Sequence, residues 1–258
     1  EKNACELLYK AIEKVNTEYV MGNYIYTTFE GEKWDSPMFD IQENFEVTIT
    51  DYKKSFFVMN SVVWNKIFKR DFIETNKLRF AEGALAEDAI FTSFLYTHTD
   101  KGYFIKDVIL NYRQNKENVS ISTNCNKNYF SKTDEAYKLI YENYKTTNNT
   151  GFYRFFCARI MPYFLCKIID TNELKSDEEI IEVLKLFSWY FKQKSEYRVI
   201  IMNEDFNEII DCISNSDYEK AIIKIRKVKE YRNSLNSSQK HNMYAVCEEV
   251  FNRMLKES

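Results

Sequence analysis

Glycine and proline are scarce. The chain holds 5 Gly and 2 Pro in 258 residues, against a usual combined share of about 12%. That shortage disfavours a sandwich or barrel, whose many tight turns draw on both residues, and favours long helices. Histidine is rarer still, with only His98 and His241. None of the Cys residues (5, 125, 157, 166, 212 and 247) forms a Cys-x-x-Cys pair, so a His/Cys zinc site is not expected. Thiols scattered in this way fit a reducing compartment. No window of about 18 residues is apolar and uncharged, so no membrane-spanning helix is expected. The nearest stretch, Phe152 to Ile169, is interrupted by Arg154, Arg159, Pro162 and Lys167. Glu1-Lys2-Asn3 leads into an amphipathic run and not a secretory leader, and with the thiols this points to the cytoplasm. Positive charge is not in excess either. Lys and Arg total 36 against 39 Asp and Glu, a net charge of −3, which argues against a nucleic-acid partner.

What is present describes a folded chain. Hydrophobic residues make up 45% and charged residues 29%, the mixture of a globular protein and not of a disordered one. Leu7, Leu8, Ala11, Ile12 and Val15 recur at three- and four-residue steps and predict a helix over 4–15. Tyr19 to Phe29 is rich in Tyr, Val, Ile and Thr and reads as a strand. Gly31 to Asp40 reads as a loop, Lys66 to Asn76 as a short helix, and Leu78 to Phe80 as a brief extended piece. A helix is expected from about Glu87 to Thr97, with Ile90, Phe91, Phe94 and Leu95 facing inward. Tyr103 to Tyr112 reads as two short strands or a hairpin around Lys106-Asp107, followed by a polar loop.

From Tyr129 onward the pattern is helical, with helices expected over about 129–145, 151–170, 177–194, 205–213, 217–230 and 238–256. Ser176-Asp177-Glu178-Glu179 opens one of these with a capping hydroxyl and first-turn acids, and Ser216-Asp217-Tyr218-Glu219 opens another. The expected fold class is therefore α/β, a short mixed sheet, followed by an all-α subdomain, mainly helical overall. The expected division is residues 1–123 and 124–258.

Three segments carry the chemistry when read together. They are Ser61-Val62-Val63-Trp64-Asn65-Lys66, then Leu78-Arg79-Phe80-Ala81-Glu82-Gly83 with Glu87-Asp88, then Tyr112-Arg113-Gln114 with Ser120-Ile121-Ser122. Each is weak alone; Glu-Asp recurs at Glu204-Asp205. In this order they resemble the latter half of a bacterial family 2 glycosyltransferase of the GT-A fold. Members often show Trp-Asn-Lys, an Arg-Phe-x-Glu-Gly stretch, a Glu-Asp pair and a Tyr-x-Tyr-Arg ending followed by Ser-Ile-Ser. Here Leu110 stands where the first Tyr of that ending is expected. The resemblance covers about residues 1–123, and the helical remainder is like the variable C-terminal extensions of such enzymes.

The resemblance implies that the chain is a C-terminal portion, without the N-terminal nucleotide-binding βαβ region that ends in Asp-x-Asp. No Asp-x-Asp or Gly-rich phosphate loop occurs in the chain. It further implies a nucleotide-sugar donor, a glycan, polyol-phosphate or lipid-linked acceptor, and a divalent metal, Mg or Mn, with ligands mainly upstream. A halved sheet would expose an edge, to be covered by the chain's own helices or by a second copy. Work on lipid-linked acceptors would place the enzyme at the inner face of the cell membrane.

The resemblance makes Asp88 the general base of an inverting transfer. A carboxylate in a first helical turn is favoured in its charged form and can accept a hydroxyl proton. Glu87 would support or orient the acceptor. The same pair can equally be an acidic turn that stabilises its helix. Trp64 suits stacking on an acceptor sugar, or closing the apolar run before it. Asn65 and Lys66 would fix hydroxyls or loops nearby. Tyr112 and Arg113 would enter a loop over the donor pyrophosphate, or end a surface strand. His98 suits a helix-end or core role. Phe152-Tyr153-Arg154-Phe155-Phe156 and Trp189-Tyr190-Phe191 suit core packing or docking on a membrane surface. The cations of the last helices, Lys220, Lys224, Arg226, Lys227, Lys229 and Arg232, are interleaved with acids and read as a solvated face. The competing function is a non-catalytic helical module that binds a protein partner or a membrane.

Overall fold

Residues 1–28, 33–35, 41–48, 58–114, 125–147, 161–196 and 204–235 are described by a computed structural model. Two units are distinguished. One comprises Glu1–Asn118 and Ala136–Asn149, and the other Val119–Glu135 and Thr150–Ser258.

The first unit is built on a mixed sheet. Helix α1 (Ala4–Val15) buries Leu8 and Ile12 and stops at Asn16, which takes the left-handed conformation that Asn tolerates at a helix end. The strands are β1 (Tyr19–Thr28), β2 (Lys33–Asp35), β3 (Phe45–Val47), β4 (Lys66–Phe68) and β5 (Gly102–Gln114). Their order is β2-β1-β5-β3, with β4 also paired to β1. Among the described strands only β1 and β5 run parallel; the other pairs are antiparallel.

A parallel pair needs cover on both faces. On one face α1 supplies it, joining Leu8 and Ile12 to Val20, Ile105 and Ile109. On the other lies helix α3 (Glu87–His98), with Tyr96 against Tyr19 at 5.8 Å and Phe91 edge-on to Phe68 at 5.5 Å between ring centroids. The sheet closes so tightly at its start that a Cβ on Gly102 would stand 2.2 Å from the Tyr19 ring. Two bonds to the Lys101 carbonyl, from Glu18 N–H and the Thr17 hydroxyl, hold the entries of β1 and β5 together.

Helix α3 is enclosed almost all round, because Ala89 to Ser93, Leu95 and Tyr96 are all buried. That explains why its inner face is broader than the four residues expected, with Phe94 itself only half-buried. The second half of α4 (Lys127–Thr146) covers its far side. There the Asn143 amide donates to Ser93 O at 3.2 Å, Ser93 Oγ at 3.0 Å and Thr97 Oγ1 at 3.1 Å.

Four local expectations are corrected. The single helix over 66–76 is strand β4 followed by α2 (Arg70–Thr75), because antiparallel pairing with Tyr19–Met21 of β1 outweighs helix propensity there. The loop over 31–40 contains β2, paired to Ile25–Thr27. The hairpin over 103–112 is one continuous strand. Lys106-Asp107 is instead a bulge, where the register jumps from Gly22 opposite Ile105 to Asn23 opposite Val108. The helix over 177–194 is two, α6 (Asp177–Leu186) and α7 (Ser188–Glu196), broken at Phe187. Strand β3 was not foreseen.

The second unit is helical. It holds the start of α4, α5 (161–170), α6, α7, α8 (Glu204–Ser214) and α9 (Tyr218–Asn233). Its core is aromatic: Phe164 lies 4.2 Å from Phe187 and 5.8 Å from Phe130, and Tyr190 and Phe191 are fully buried. Trp189 donates to Asp134 at 2.6 Å. Packing, and not a membrane surface, therefore accounts for Trp189-Tyr190-Phe191, while 152–156 and 238–256 lie outside the described residues.

Ser176 caps α6 and Asp217 caps α9 through their side chains. The cations of α9 are largely engaged within the unit. Arg232, buried, grips Asp170 through two bonds of 2.8 and 2.5 Å, and Arg226 grips Asp177 at 2.6 and 2.7 Å. Lys224 pairs with Glu208, and Lys229 donates to Thr171 O at 2.7 Å. Among the described residues no helix is long and apolar enough to cross a membrane.

Candidate active site

The start of α3 is built without a side-chain cap. Leu78 is buried and anchors the approach; the chain then turns at Gly83, with φ +70°, and again at Ala86, with φ +56°. A left-handed alanine costs about 1 kcal/mol or more, and such strain gathers at functional sites. Ala86 stands at the N-cap and offers no oxygen to the first turn. Asp88 fills part of that gap from inside the helix, its Oδ1 accepting the Ala89 N–H at 2.8 Å.

Asp88 is half-buried, and Glu87 beside it is exposed. Burial pushes the Asp88 carboxyl above the usual carboxylate range. The Ala89 N–H opposes this, the Glu87 charge adds to it, and the Lys66 ammonium opposes it. Among the described residues no cation comes within ion-pairing distance of Asp88. The carboxylate is thus held in orientation without being consumed by a salt link, and its raised proton affinity suits a group that must accept a proton.

Trp64 and Tyr112, far apart in sequence, come together. Their rings stack at 5.1 Å with 26° between planes, and Tyr24 meets Trp64 edge-on at 4.7 Å. Tyr26 extends the row, edge-on to Tyr112 at 5.8 Å. Trp64 is half-buried and Tyr112 is 38% exposed. Arg113, next along β5 and opposite Thr27, is exposed. Trp64 therefore packs on the sheet and keeps some surface.

Asn65 is different. It is fully buried, its amide donates to the Gly22 carbonyl at 2.9 Å, and the Gly22 N–H donates to the Asn65 carbonyl at 2.9 Å. This reciprocal clasp binds the segment to β1, and buried Asn65 thereby fixes the backbone around it. Lys66 is equally engaged. Its Nζ donates to Asn60 Oδ1 at 2.6 Å, Val62 O at 2.5 Å and Asn65 Oδ1 at 2.9 Å.

Sequence reasoning missed Asn60 and Tyr24, which enter only through contacts distant in the chain and leave no local signal. His98 ends α3 exposed, its Nδ1 2.7 Å from Phe94 O, which is a helix-end role. The divalent metal is expected to take its ligands mainly upstream. Among the described residues no group of three or more His, Cys, Asp or Glu could hold an ion.

Comparison with known proteins follows the same lines. No family model matches the sequence. The chain is 23% identical over 225 residues to the poly(ribitol-phosphate) β-N-acetylglucosaminyltransferase TarP of Staphylococcus aureus (strain N315), covering 84% of this chain and 67% of that one. Among solved structures it resembles S. aureus TarS 1–349, with a TM-score of 0.60 and 15% identity over 92% of this chain and 64% of that one. The same TarS segment in complex with UDP-GlcNAc gives a TM-score of 0.57 at 16% identity, covering 92% of this chain and 66% of that one. The chain thus spans about two thirds of the length of the relatives it matches. The resemblance drawn from the three segments is borne out over most of the chain, as is the expected fold class of a partial GT-A-like α/β region joined to helices.

Proposed function

We propose that this chain, a glycosyltransferase-type region with a GT-A-like fold, forms the acceptor side of an inverting enzyme. The enzyme moves a sugar from a nucleotide-sugar donor to a glycan, polyol-phosphate or lipid-linked acceptor. Asp88 accepts the proton of the attacking hydroxyl. As the acceptor oxygen bonds to the anomeric carbon, the bond from that carbon to the donor phosphate breaks on the opposite face, and the nucleoside diphosphate leaves with the electron pair. Glu87 steadies the acceptor, and the exposed parts of Trp64 and Tyr112 offer it an apolar surface, while Arg113 offsets donor phosphate charge. A divalent ion, Mg or Mn, would be held by residues outside those described. On this reading the reaction takes place in the cytoplasm, at the inner face of the membrane. The polyol-phosphate acceptor and UDP-GlcNAc donor rank first for testing, because TarP is a poly(ribitol-phosphate) β-N-acetylglucosaminyltransferase and TarS has been solved in complex with UDP-GlcNAc.

The observation that carries this reading is Asp88 itself: a half-buried carboxylate at a strained helix start, oriented by Ala89 N–H and unpaired with any cation among the described residues. The test is Asp88→Asn in the full-length protein, assayed with UDP-GlcNAc and a poly(ribitol phosphate) chain. Loss of a general base costs roughly 10²-fold or more in turnover, with donor binding unchanged. Turnover above about a tenth of wild type would remove Asp88 from the role.

A further inference from the structure

Phe80, in the Arg-Phe segment, carries no role in the sequence reading, yet it stands close to the candidate base. Its ring stacks on Phe91 at 4.5 Å between centroids, with 12° between planes. Phe91 follows Asp88 by three residues on α3, so the two share a side of that helix, with Cβ atoms about 5–6 Å apart. Residues 81–86 lead from Phe80 directly back to the start of the same helix. Phe91 is buried and also meets Phe68 edge-on at 5.5 Å, whereas Phe80 is 48% exposed. One side of the Phe80 ring therefore rests on the core, and about half of its surface stays open within a helical turn of Asp88.

The stem below that ring is fixed. Leu78 is buried and its N–H donates to the Ile73 carbonyl at 3.0 Å. Arg79 donates to Leu78 O at 2.8 Å and to Glu74 at 2.5 Å. The open ring is thus held by its backbone and by its inner face, not left at the tip of a loose loop. Its surroundings select the kind of ligand. Glu82 and Glu87, both exposed, flank the turn that joins Phe80 to Asp88, and the neighbouring cation, Arg79, is paired with Glu74. Carboxylates accept from hydroxyls and repel phosphates, while the negative face of an aromatic ring attracts carbon-bound hydrogens. That combination fits a neutral polyhydroxylated unit, a sugar or a polyol, and not an anionic group.

We propose that Phe80 is a binding platform for the acceptor: its open surface receives the carbon–hydrogen face of the sugar or polyol unit whose hydroxyl is presented to Asp88. The proposal rests on the general-base reading of Asp88 and deepens it by naming what holds the attacking alcohol. A ring whose only task was to cover Phe91 could be replaced by another apolar side chain of similar size at little cost. A platform needs the flat face, so Leu at this position serves the first task and fails the second.

The test is steady-state kinetics of the full-length protein with UDP-GlcNAc and a poly(ribitol phosphate) chain, for wild type, Phe80→Leu, Phe80→Tyr and Asp88→Asn. Phe80→Leu should raise the KM for the acceptor about tenfold, the equivalent of about 1.4 kcal/mol of lost contact, with the KM for the donor and kcat nearly unchanged. Phe80→Tyr, which keeps the ring, should restore the acceptor KM. A wild-type acceptor KM in Phe80→Leu, or an equal rise in both KM values, would show a merely structural role and overturn the proposal. The two readings fail separately. An active Asp88→Asn variant removes the base whatever Phe80 does, and an unaltered acceptor KM in Phe80→Leu removes the platform whatever Asp88 does. For the case in which Phe80→Leu does not fold, protein labelled with 4-fluorophenylalanine gives an independent reading. The ¹⁹F resonance missing from Phe80→Tyr marks residue 80. It should shift when the poly(ribitol phosphate) chain is added, and a resonance that stays in place at saturating acceptor would refute the contact.

Discussion

Replacing Asn65 with Ala puts a number on the clasp between the Trp-Asn-Lys segment and the sheet. The side chain makes two bonds: it donates to the Gly22 carbonyl at 2.9 Å and accepts from Lys66 at 2.9 Å. Both are shielded, since Asn65 has no exposed surface. Stranding a buried carbonyl costs about 1–3 kcal/mol, and a bond from a charged donor is worth about 1.5–3 kcal/mol. Lys66 keeps two other acceptors, which recovers part of the second figure. A loss of roughly 2–4 kcal/mol is expected, a large fraction of the 5–15 kcal/mol that typically separates folded from unfolded. Urea unfolding followed by tryptophan fluorescence should show an earlier midpoint for the sheet-bearing unit with an unchanged slope. A shift below about 0.5 kcal/mol would be a surface-like effect. It would refute the claim that Asn65 is a buried clasp.

Two further outcomes follow from the geometry. Gly102→Ala should fail to accumulate as folded protein or lose more than about 2 kcal/mol, because the new methyl group would collide with Tyr19, which is itself fully buried; a variant that melts with wild type would show that the strand entry can yield. Asp88→Asn should gain stability relative to wild type as pH rises. A carboxyl whose pKa is raised by folding contributes stability at acid pH, below its unfolded value, and loses it as pH climbs through the folded value, whereas Asn stays neutral throughout. Thermal melts of both proteins at pH 4 and pH 7 check this, and a relative stability that falls with rising pH would reverse the sign.

The elements legible in the sequence were those whose signal is local. Helices α1 and α3 follow from apolar spacing, and Ser176 declares its helix through a hydroxyl placed before three acids. Strand β4 was read as helix because Lys-Ile-Phe-Lys-Arg carries no strand signature of its own, and its pairing partner lies more than forty residues earlier. Lys106-Asp107 did mark an irregularity, but two polar residues amid apolar ones signal a bulge as readily as a turn. Asp88 could be singled out in sequence through order and resemblance. The division of labour within Trp-Asn-Lys could not, since three adjacent residues with equal claims differ only in what they meet: Tyr112 for Trp64, Gly22 for Asn65, and a ring of oxygens for Lys66. Of the basic residues of α9, Lys220, Arg226 and Lys227 are exposed as expected, while Arg232 is buried, as nothing near it in the chain announces Asp170.

The unmatched residues opposite Gly22 and Asn23 also act as an insulator along the longest strand. Toward its origin, β5 is locked to Tyr19 and to the oily layer under α1, and Phe104 and Ile105 are buried. From Asn111 to Arg113 the same strand presents exposed groups. Because the local kink already absorbs a mismatch in spacing, alterations at the tip need not shift the foundation. Such a layout lets a scaffold of this kind be retuned to a new alcohol by editing its rim, while the part that must stay solid is left alone.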